Sequence, residues 1–320
     1  MKAIRMHQAG DPEVLQYEDV PDPAPAARQV LIRVAAAGIN YPDIGARRNA
    51  AAASLPLIPG SEAAGTVTAV GEGVTAFKRG DVVAYCGGPG SYAEMAVVPV
   101  GRALPVPAGM DPHTAAAVML QGLTAHAMGF GAHQLKAGDK VLIHAGAGGV
   151  GGLLIQMAKN AGATVFATVG SDAKVSVAKE AGADLVINYS TQDFEEEVKK
   201  ATDGKGVNAV FDSVGKATFL KGLNCLGSRG VIVVYGAASG APEPVDIALL
   251  ARGGQYITRT GMGHYTGTPE EYTRRAQELL GWVNSGKLKV RSSTYPLAQA
   301  ADAHRALQGR QTTGKLLLVP

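Results

Sequence analysis

Three observations predict an α/β protein with two domains, a small β-barrel and a doubly wound parallel sheet. The chain has 320 residues, a length that suggests two domains. In the first third, short apolar stretches are separated by glycine and proline, a pattern typical of a small barrel. From residue 140 onward, strand patterns alternate with helix patterns, which predicts a parallel sheet with helices on both of its faces.

The composition excludes several classes of protein. Hydrophobic residues make up 46% of the chain and charged residues 18%, which is enough apolar material for a core and excludes a disordered protein. A net charge of +3 without a basic run gives no indication of nucleic-acid binding. Two cysteines, Cys86 and Cys225, are too few for a disulfide framework or a four-cysteine zinc site. No apolar stretch approaches the ~18 residues of a membrane helix, and the first residues do not resemble a signal peptide, so we expect a soluble, cytoplasmic protein.

The first third of the chain predicts short strands. Each candidate is apolar or alternating and is bounded by turn residues. Pro21, Pro23 and Pro25 mark an extended stretch that cannot be helical. The predicted strands are Met1–Met6, Val30–Ala36, Ala63–Val70 and Asp81–Ala84.

Six further strand candidates alternate with helical patterns. Between the first two, apolar residues recur at helical spacing from Val150 to Ala161, and Gly162 ends the predicted helix. Six parallel strands are the number in a complete dinucleotide-binding fold. The candidates are Lys140–Ala145, Thr164–Val169, Leu185–Ile187, Ala209–Ser213, Gly230–Tyr235 and Tyr256–Thr260.

The last segment predicts two helices and a strand. Thr268, followed by Pro269 and Glu271, is typical of a capped helix start. We expect a second helix over about Leu297–Leu307. The final strand, Lys315–Val319, is assigned to the sheet of the first domain.

The loop after the strand Lys140–Ala145 carries the predicted cofactor chemistry. Gly146 and Gly148 allow the backbone to turn sharply and to approach a pyrophosphate, and Gly151 allows the next helix to pack closely on the strand. The helix N-terminus presents amide groups and partial positive charge to the phosphates. Ala145 occupies the position of the usual first glycine. The strand, loop and helix together predict a dinucleotide site rather than an ordinary glycine-rich turn.

The end of the second strand indicates which dinucleotide binds. An NAD site has Asp or Glu there to bind the ribose hydroxyls, whereas this strand ends in Val169-Gly170-Ser171. Lys174 could bind a ribose phosphate, and the alternative is a solvated helix residue. Asp172 is the nearby acid, and we interpret it as a helix cap. The balance favours NADPH.

Further short motifs occur along the chain: Gly38-Ile39-Asn40-Tyr41-Pro42-Asp43, Pro59-Gly60-Ser61-Glu62-Ala63-Ala64-Gly65, Gln121-Gly122-Leu123-Thr124-Ala125, Ile187-Asn188-Tyr189, Phe211-Asp212-Ser213-Val214-Gly215 and Thr313-Gly314-Lys315. With the glycine loop, they make nearly the whole chain resemble the zeta-crystallin-like NADPH:quinone oxidoreductases, a zinc-free branch of the medium-chain dehydrogenase/reductase superfamily. The resemblance implies a GroES-like β-barrel domain from residues 1–123 and 262–320, and a Rossmann domain from residues 124–261 that binds NADPH. It also implies a cleft between the domains and a homodimer joined through the Rossmann domains, for which the apolar segment Tyr256–Thr260 could form the edge.

The resemblance implies roles for individual residues. The substrate pocket candidates are Asn40, Tyr41, Gln121 and Thr124. The implied cofactor contacts are Gly170, Lys174 and Tyr189 at the adenosine phosphate, Gly146, Ala147, Gly148, Gly149 and Val150 at the pyrophosphate, Tyr235, Gly236 and Ala238 along the ribose and nicotinamide, Asn40 and Thr124 near the nicotinamide, and Lys315 near the cofactor.

Zinc alcohol dehydrogenases resemble the chain too, but their ligand types are missing from it. The positions of their Cys, His and Cys ligands correspond to Asn40, Ser61 and Gln121, none of which supplies a thiolate or an imidazole. We interpret the histidines as structural or surface residues. Without a metal to activate an alcohol, quinones and activated alkenes are the favoured acceptors.

The predicted reaction is direct hydride transfer from NADPH to a conjugated acceptor. Asn40 could polarise a carbonyl or hold its turn, and Tyr41 could donate a proton or lie in the core. The leading hypothesis is a quinone reductase. The alternatives are an NADPH-dependent reductase of enals and enones, and a low-turnover NADPH-binding protein with a structural or RNA-binding role.

The segment Arg47–Ser54 departs from the family pattern. Family members often have a tyrosine there, near the nicotinamide and the substrate, whereas this chain has small residues. We expect a wider pocket that favours large quinones over small ones. Arg47 and Arg48 are interpreted as solvated loop residues or as residues that reach the pocket.

Overall fold

The structure is a computed structural model that describes residues 1–51 and 54–320, and the chain divides into two compact units. Unit 1 comprises Met1–Gln121, Thr268–Gly286 and Val290–Pro320. Unit 2 comprises Gly122–Gly267 and Lys287–Lys289. Both ends of the chain therefore belong to unit 1.

The strands of the described residues are β1 (Lys2–Arg5), β2 (Gln16–Asp19), β3 (Gln29–Ile39), β4 (Glu62–Val70), β5 (Val82–Cys86), β6 (Met95–Pro99), β7 (Leu104–Pro105), β8 (Lys140–Ile143), β9 (Thr164–Val169), β10 (Leu185–Asn188), β11 (Val207–Asp212), β12 (Leu226–Val234), β13 (Tyr256–Arg259), β14 (Ser292–Pro296) and β15 (Lys315–Val319). The α-helices are α1 (Tyr41–Arg48), α2 (Pro112–Ala127), α3 (Gly149–Asn160), α4 (Val175–Glu180), α5 (Phe194–Ala201), α6 (Phe219–Asn224), α7 (Pro269–Asn284) and α8 (Ala300–Gln308).

The main sheet of unit 1 is built around the long strand β3. Its order is β14-β15-β3-β4-β5-β7, and β6 also pairs with β3. The C-terminal strand β15 is antiparallel to β3, with Leu316 opposite Ile39, which confirms the predicted place of Lys315–Val319 in the first sheet. Strand β3 is apolar almost throughout and is buried along most of its length, as expected for the centre of a sheet.

The sheet of unit 2 is parallel throughout and has the order β10-β9-β8-β11-β12-β13. The six predicted strands are all present, and β9 has the predicted bounds. From β8 the chain adds β9 and β10 on one side of β8, and it then adds β11, β12 and β13 on the opposite side. Ligands of such sheets bind outside the carboxyl ends of the strands at this reversal, which places the expected site between β8 and β11.

The helices next to these sheets follow their predicted signals. Helix α3 packs its apolar stripe inward and ends before Gly162, whose φ is +83°. Helix α7 begins after Thr268, whose hydroxyl accepts the Glu271 amide at 3.2 Å. Helix α2 is absent from the sequence prediction. No helix of the described ranges is long and apolar enough to cross a membrane.

Candidate functional site

The glycine loop of unit 2 lies at the carboxyl end of β8 and is tied to both neighbouring strands. The His144 amide donates to the carbonyl of Phe211 at 3.0 Å, and the Gly146 amide donates to the carbonyl of Thr168 at 2.9 Å. Ala145 has a φ of +55°, in the left-handed region that glycine adopts most easily. The alanine therefore keeps the backbone turn for which glycine is usual.

The glycines of the loop bring helix and strand close together. A Cβ on Gly151 would lie 2.3 Å from the carbonyl oxygen of Ala145, and one on Gly146 would lie 2.9 Å from the Ala167 Cβ. Helix α3 starts after Gly148, and no described side chain caps it. The first-turn amides of a helix lack partners within the helix, so this end of α3 fits the pyrophosphate of a dinucleotide.

The residues expected at the adenosine phosphate follow the carboxyl ends of the adjacent strands β9 and β10. A Cβ on Gly170 would lie 2.9 Å from the Tyr189 hydroxyl, and Ser190 donates a hydrogen bond to the Gly170 carbonyl at 3.0 Å. Gly170 and Tyr189 are thus brought together at one sheet end. Lys174 is half-buried at the end of the short helical turn Asp172–Lys174.

The interpretation of Asp172 as a helix cap is wrong. Its carboxylate accepts a hydrogen bond from Nδ2 of Asn188 at 2.8 Å, and the short helical turn that starts there has Ser171 at its N-cap. Asn188 can reach Asp172 because Asn188 is the last residue of β10, which pairs with β9, the strand before Asp172. One carboxylate oxygen is therefore engaged within the protein.

The residues expected along the ribose and nicotinamide follow β12 and contact the end of β11. The Tyr235 amide donates to the carbonyl of Asp212 at 2.9 Å, and the Ala238 amide donates to that of Ser213 at 3.1 Å. A Cβ on Gly236 would lie 2.5 Å from the Ser213 carbonyl oxygen. These residues therefore occupy the same sheet end as the glycine loop.

In unit 1, a buried ion pair holds the side chain of Asn40. Nζ of Lys315 donates to Oδ1 of Asn40 at 2.7 Å and forms a short ion pair with Glu62. Nδ2 of Asn40 donates to Oε1 of Glu62 at 2.7 Å, and the Leu120 amide donates to the other oxygen of Glu62 at 2.6 Å. All three side chains are buried.

A second buried network starts at the backbone of Asn40. The Asn40 amide donates to Asp43 at 2.8 Å, and the Tyr92 hydroxyl donates to the same carboxylate at 3.0 Å. Tyr92 also contacts Nε2 of His304 at 3.1 Å, and Nδ1 of His304 lies 3.0 Å from the Arg47 guanidinium. Because arginine can only donate, Nδ1 accepts and Nε2 carries the proton. Hydrogen bonds therefore run from Arg47 through His304 and Tyr92 to Asp43.

The structure excludes one of the two interpretations of Arg47 and one of the two interpretations of Tyr41. Arg47 is not a loop residue but a fully buried residue of α1, and it donates to the Gly10 carbonyl and to Gln308 as well as to His304. Tyr41 is exposed rather than in the core, and its hydroxyl donates to the carbonyl of Leu307. Arg48 is exposed, as one of its two interpretations requires.

The other pocket candidates lie on α2. Oε1 of Gln121 is buried without a hydrogen-bond partner among the described residues. A buried polar atom of this kind is a candidate to accept a hydrogen bond from a ligand. Thr124 is half-buried one turn further on. The small-residue loop cannot be placed against these residues, because Ala52 and Ala53 lie outside the described ranges. The effect of that loop on substrate size stays a prediction.

Glu62 and Gly38 occur in the sequence motifs, but no role was predicted for either residue. Glu62 is the anion that binds both Asn40 and Lys315. A Cβ on Gly38 would lie 2.6 Å from Cε of Lys315 and closer still to the Glu62 carboxylate. No local sequence signal marks the role of Glu62, because Asn40 and Lys315 lie 22 and 253 positions from it.

The positions that correspond to zinc ligands have no thiolate or imidazole. Asn40 and Ser61 are instead part of the hydrogen-bond networks around Glu62 and Asp43. Within residues 1–51 and 54–320, no group of three or more His, Cys, Asp or Glu side chains is arranged to hold a metal ion. Metal independence stays a prediction.

Two family models match the chain. The alcohol dehydrogenase GroES-like domain matches residues 26–108, and the zinc-binding dehydrogenase model matches residues 149–281. Together with the six-stranded parallel sheet and its glycine loop, they define a dinucleotide-binding oxidoreductase with a GroES-like and a Rossmann domain. The predicted fold class is confirmed.

Full-length relatives then identify the family. Quinone oxidoreductase of Pseudomonas aeruginosa is 41% identical, with 100% of this chain and 99% of the relative covered. The 2-haloacrylate reductase of a Burkholderia species is 38% identical, with 99% and 98% covered. The crystal structure of Escherichia coli quinone oxidoreductase complexed with NADPH matches at a TM-score of 0.95 and 38% identity, with 100% of both chains covered. The chain belongs to the quinone oxidoreductase family of the medium-chain dehydrogenase/reductase superfamily.

Proposed function

We propose that this protein is an NADPH-dependent quinone reductase that passes a hydride to its acceptor without a metal ion. The observation that carries the proposal is the glycine loop at the reversal of the six-stranded sheet, in a chain whose relatives across its full length include quinone oxidoreductases. When bound, NADPH supplies the hydride, and the protein supplies binding, orientation and electrostatics.

The proposed cofactor contacts follow the carboxyl end of the sheet in unit 2. Residues 146–150 and the first turn of α3 bind the pyrophosphate, and Gly170, Lys174 and Tyr189 bind the adenosine phosphate. Tyr235, Gly236 and Ala238 line the ribose and nicotinamide. Gly236 packs against the Ser213 backbone and Gly170 against the Tyr189 side chain, so these segments are held together at the same end of the sheet.

We assign residues 1–123 and 262–320 to the substrate domain and residues 124–261 to the NADPH domain. All of the proposed contacts near the acceptor except Thr124 come from the substrate domain. Asn40 donates a hydrogen bond to the acceptor oxygen, and Thr124 lies near the nicotinamide. Gln121 binds a donor group of the ligand through its open amide oxygen. Tyr41 stays a candidate proton donor, although its hydroxyl already donates to a carbonyl. A direct contact of Lys315 with the cofactor stays a prediction.

Reduction of an activated alkene is the second candidate function. It is supported by the 38% identity to a 2-haloacrylate reductase across almost all of both chains. The same hydride donor and the same hydrogen bond to a carbonyl oxygen would serve an enal, an enone or an unsaturated acid, since negative charge develops on that oxygen in each case.

The experiment is a panel of quinones, enones and 2-haloacrylate, followed by the loss of NADPH absorbance. Turnover fastest with quinones supports the main proposal, and turnover fastest with the alkenes supports the second. Tight NADPH binding without any turnover would favour a low-turnover binding protein instead. Each assay is repeated after exhaustive chelation, which we expect to change neither rate nor melting temperature.

We further propose a cytoplasmic homodimer. The edge strand β13 presents exposed Tyr256 and Ile257, and Ile247 on the preceding turn is 79% exposed. An uncovered apolar edge is a template for pairing with another chain. Cys86 and Cys225 are buried and form no disulfide, as is usual in a reducing compartment.

A further inference from the structure

A cation and an anion bind opposite ends of the Asn40 carboxamide. Lys315 carries only donors, so it must face Oδ1, and the Glu62 carboxylate accepts only, so it must face Nδ2. Rotating the amide by 180° would place its NH2 group against the ammonium and its oxygen against the carboxylate. Asn40 therefore has one orientation, whereas an asparagine among neutral partners often has two.

This orientation leaves one hydrogen of the Asn40 amide for a ligand. Nδ2 carries two hydrogens, and Glu62 accepts one of them at 2.7 Å. Among the residues that the structure describes, none accepts the second. The ammonium of Lys315, 2.7 Å from Oδ1, withdraws electron density from the amide. Polarised hydrogen-bond chains make stronger donors, so the remaining N–H is a stronger donor than that of a free asparagine.

The burial of the ion pair argues that it serves more than stability. Lys315 and Glu62 are 1% and 0% exposed, and buried ion pairs are commonly replaced by apolar residues without loss of stability. The strand also leaves room for them at Gly38, where any Cβ would meet both side chains. Glu62 is held from the far side by the Leu120 amide at 2.6 Å, so the pair is fixed in place.

We propose that Lys315 and Glu62 are positioning residues that lock the Asn40 carboxamide, so that its second Nδ2 hydrogen binds the carbonyl oxygen of the electron acceptor. This inference rests on the proposed function. When hydride reaches the conjugated system, the electron pair moves onto that oxygen, and a preformed donor there stabilises the developing charge. The acceptor class is therefore a conjugated carbonyl compound, and the locked amide takes the place of a metal Lewis acid.

The test uses the neutral pair Lys315→Met/Glu62→Gln, which removes both charges and leaves no single buried ion. Its control, Lys2→Met/Asp19→Asn, makes the same change at an exposed ion pair of the same unit. We expect the neutral pair to keep its KM for the acceptor within a few fold and to lose about 10- to 100-fold in kcat, less than the loss of a whole oxyanion donor. NADPH affinity is measured alongside, because Lys315 is also a candidate cofactor contact. Lys315→Arg should recover part of that rate. A neutral pair with wild-type kcat would overturn the inference.

A second readout needs no turnover. With NADP⁺ in place of NADPH, the infrared band of a carbonyl-labelled quinone reports its hydrogen bond. We expect a shift to lower wavenumber in the wild type and in the control, and its loss in the neutral pair. If the neutral pair does not fold, Gly38→Ala displaces the ion pair without changing charge, and the same loss is expected. No wild-type shift, or one that persists in these variants, overturns the inference. A shift without turnover of quinones would instead contradict only the proposed function.

Discussion

At the scale of single residues, the buried network of unit 1 contains two side chains with opposite pKa shifts. Burial raises the pKa of Asp43 from 3.8 to about 6, although the hydrogen bond from the Asn40 amide opposes it. Burial, followed by the charge of Arg47, lowers the pKa of His304 from 6.5 to about 3. Tyr92 lies between them and binds both. The two groups therefore act on the pH dependence of stability in opposite directions.

The sign for each group follows from which state holds more protons. Between pH 3.8 and 6 the folded protein keeps a proton on Asp43 that the unfolded chain has lost, so this contribution to stability falls as pH rises. Between pH 3 and 6.5 the unfolded chain binds a proton on His304 that the folded protein does not, so this contribution rises with pH. In the shared window the two slopes cancel.

Single substitutions should reveal the pH dependence of stability that Asp43 and His304 each contribute and that cancels in the wild type. Relative to wild type, His304→Gln should lose stability as pH rises from about 4 to 6, and Asp43→Asn should gain it, each by up to ~1.4 kcal/mol per pH unit. Denaturant unfolding across this range measures both, and a pH of 7.5 serves as the reference where neither slope remains. Parallel curves for the two variants would contradict the prediction.

Cofactor choice is also decided by single residues. If Lys174 binds the ribose phosphate, that charge-assisted contact is worth ~1.5–3 kcal/mol, so NADPH should bind at least ~10-fold more tightly than NADH. Lys174→Ala should remove most of this preference. Lys179→Ala, on the exposed end of the helix that follows, is the matched control. Equal wild-type affinities for the two cofactors would contradict the assignment.

The residues of the site differ in how far sequence could predict them. Asn40 and Lys315 came from the resemblance, but their shared partner Glu62 depends on strands that meet only in the folded sheet. Arg47 looked like a solvated residue because its partner His304 is 257 positions away. Burial of a charged side chain by such a distant partner leaves no local pattern. Asp172 was misjudged because its partner, Asn188, ends the next strand 16 positions further along the chain.

At the scale of elements, periodicity predicted the strands of both sheets well and one helix not at all. Strands β9 and β15 have the predicted bounds. Helix α2 was missed because it is buried around most of its circumference and is rich in alanine. A helix that is apolar on all sides lacks the periodic contrast from which helices are predicted. The glycine loop was predicted correctly because the spacing of its glycines reflects backbone contacts within one continuous strand, turn and helix.

Two adjacent glycines of α3 should respond oppositely to alanine. A Cβ on Gly151 would lie 2.3 Å from a backbone oxygen of the loop, so Gly151→Ala must push the helix away and should destabilise the fold by ~1–3 kcal/mol. At Gly152 the nearest atom would be 3.6 Å away, an ordinary contact. Gly152→Ala should therefore stabilise the apoprotein by ~0.5–1 kcal/mol through helix propensity.

Denaturant unfolding without cofactor measures both changes. NADPH titration should show weaker binding for Gly151→Ala, since the amides of the helix start move with the helix. Destabilisation of equal size by both substitutions would mean that the close approach of α3 to β8 is not what the glycine provides.

At the scale of the whole molecule, the sequence predicted that the chain returns to its first sheet. The last strand was assigned to the first sheet because both ends of such chains often return to one domain, and β15 does pair with β3. Dimerisation is harder to predict from the sequence than this return of the chain. An apolar segment such as Tyr256–Thr260 reads the same whether a helix of its own chain or a second chain covers it. In the structure this segment is the outermost strand of its sheet, and Tyr256 is 59% exposed.

The homodimer proposal predicts twice the chain mass of 32.8 kDa by sedimentation at micromolar concentration. Ile257→Lys places a charge on the edge strand, where charges oppose pairing between sheets, and should shift the sedimenting species to the monomer. Val70→Lys is the control, because Val70 is as exposed as Ile257 but lies on β4 of the other unit. Circular dichroism and NADPH affinity of both variants establish that they are folded. A wild-type monomer would refute dimerisation, and a dimer that survives Ile257→Lys would place the contact away from β13.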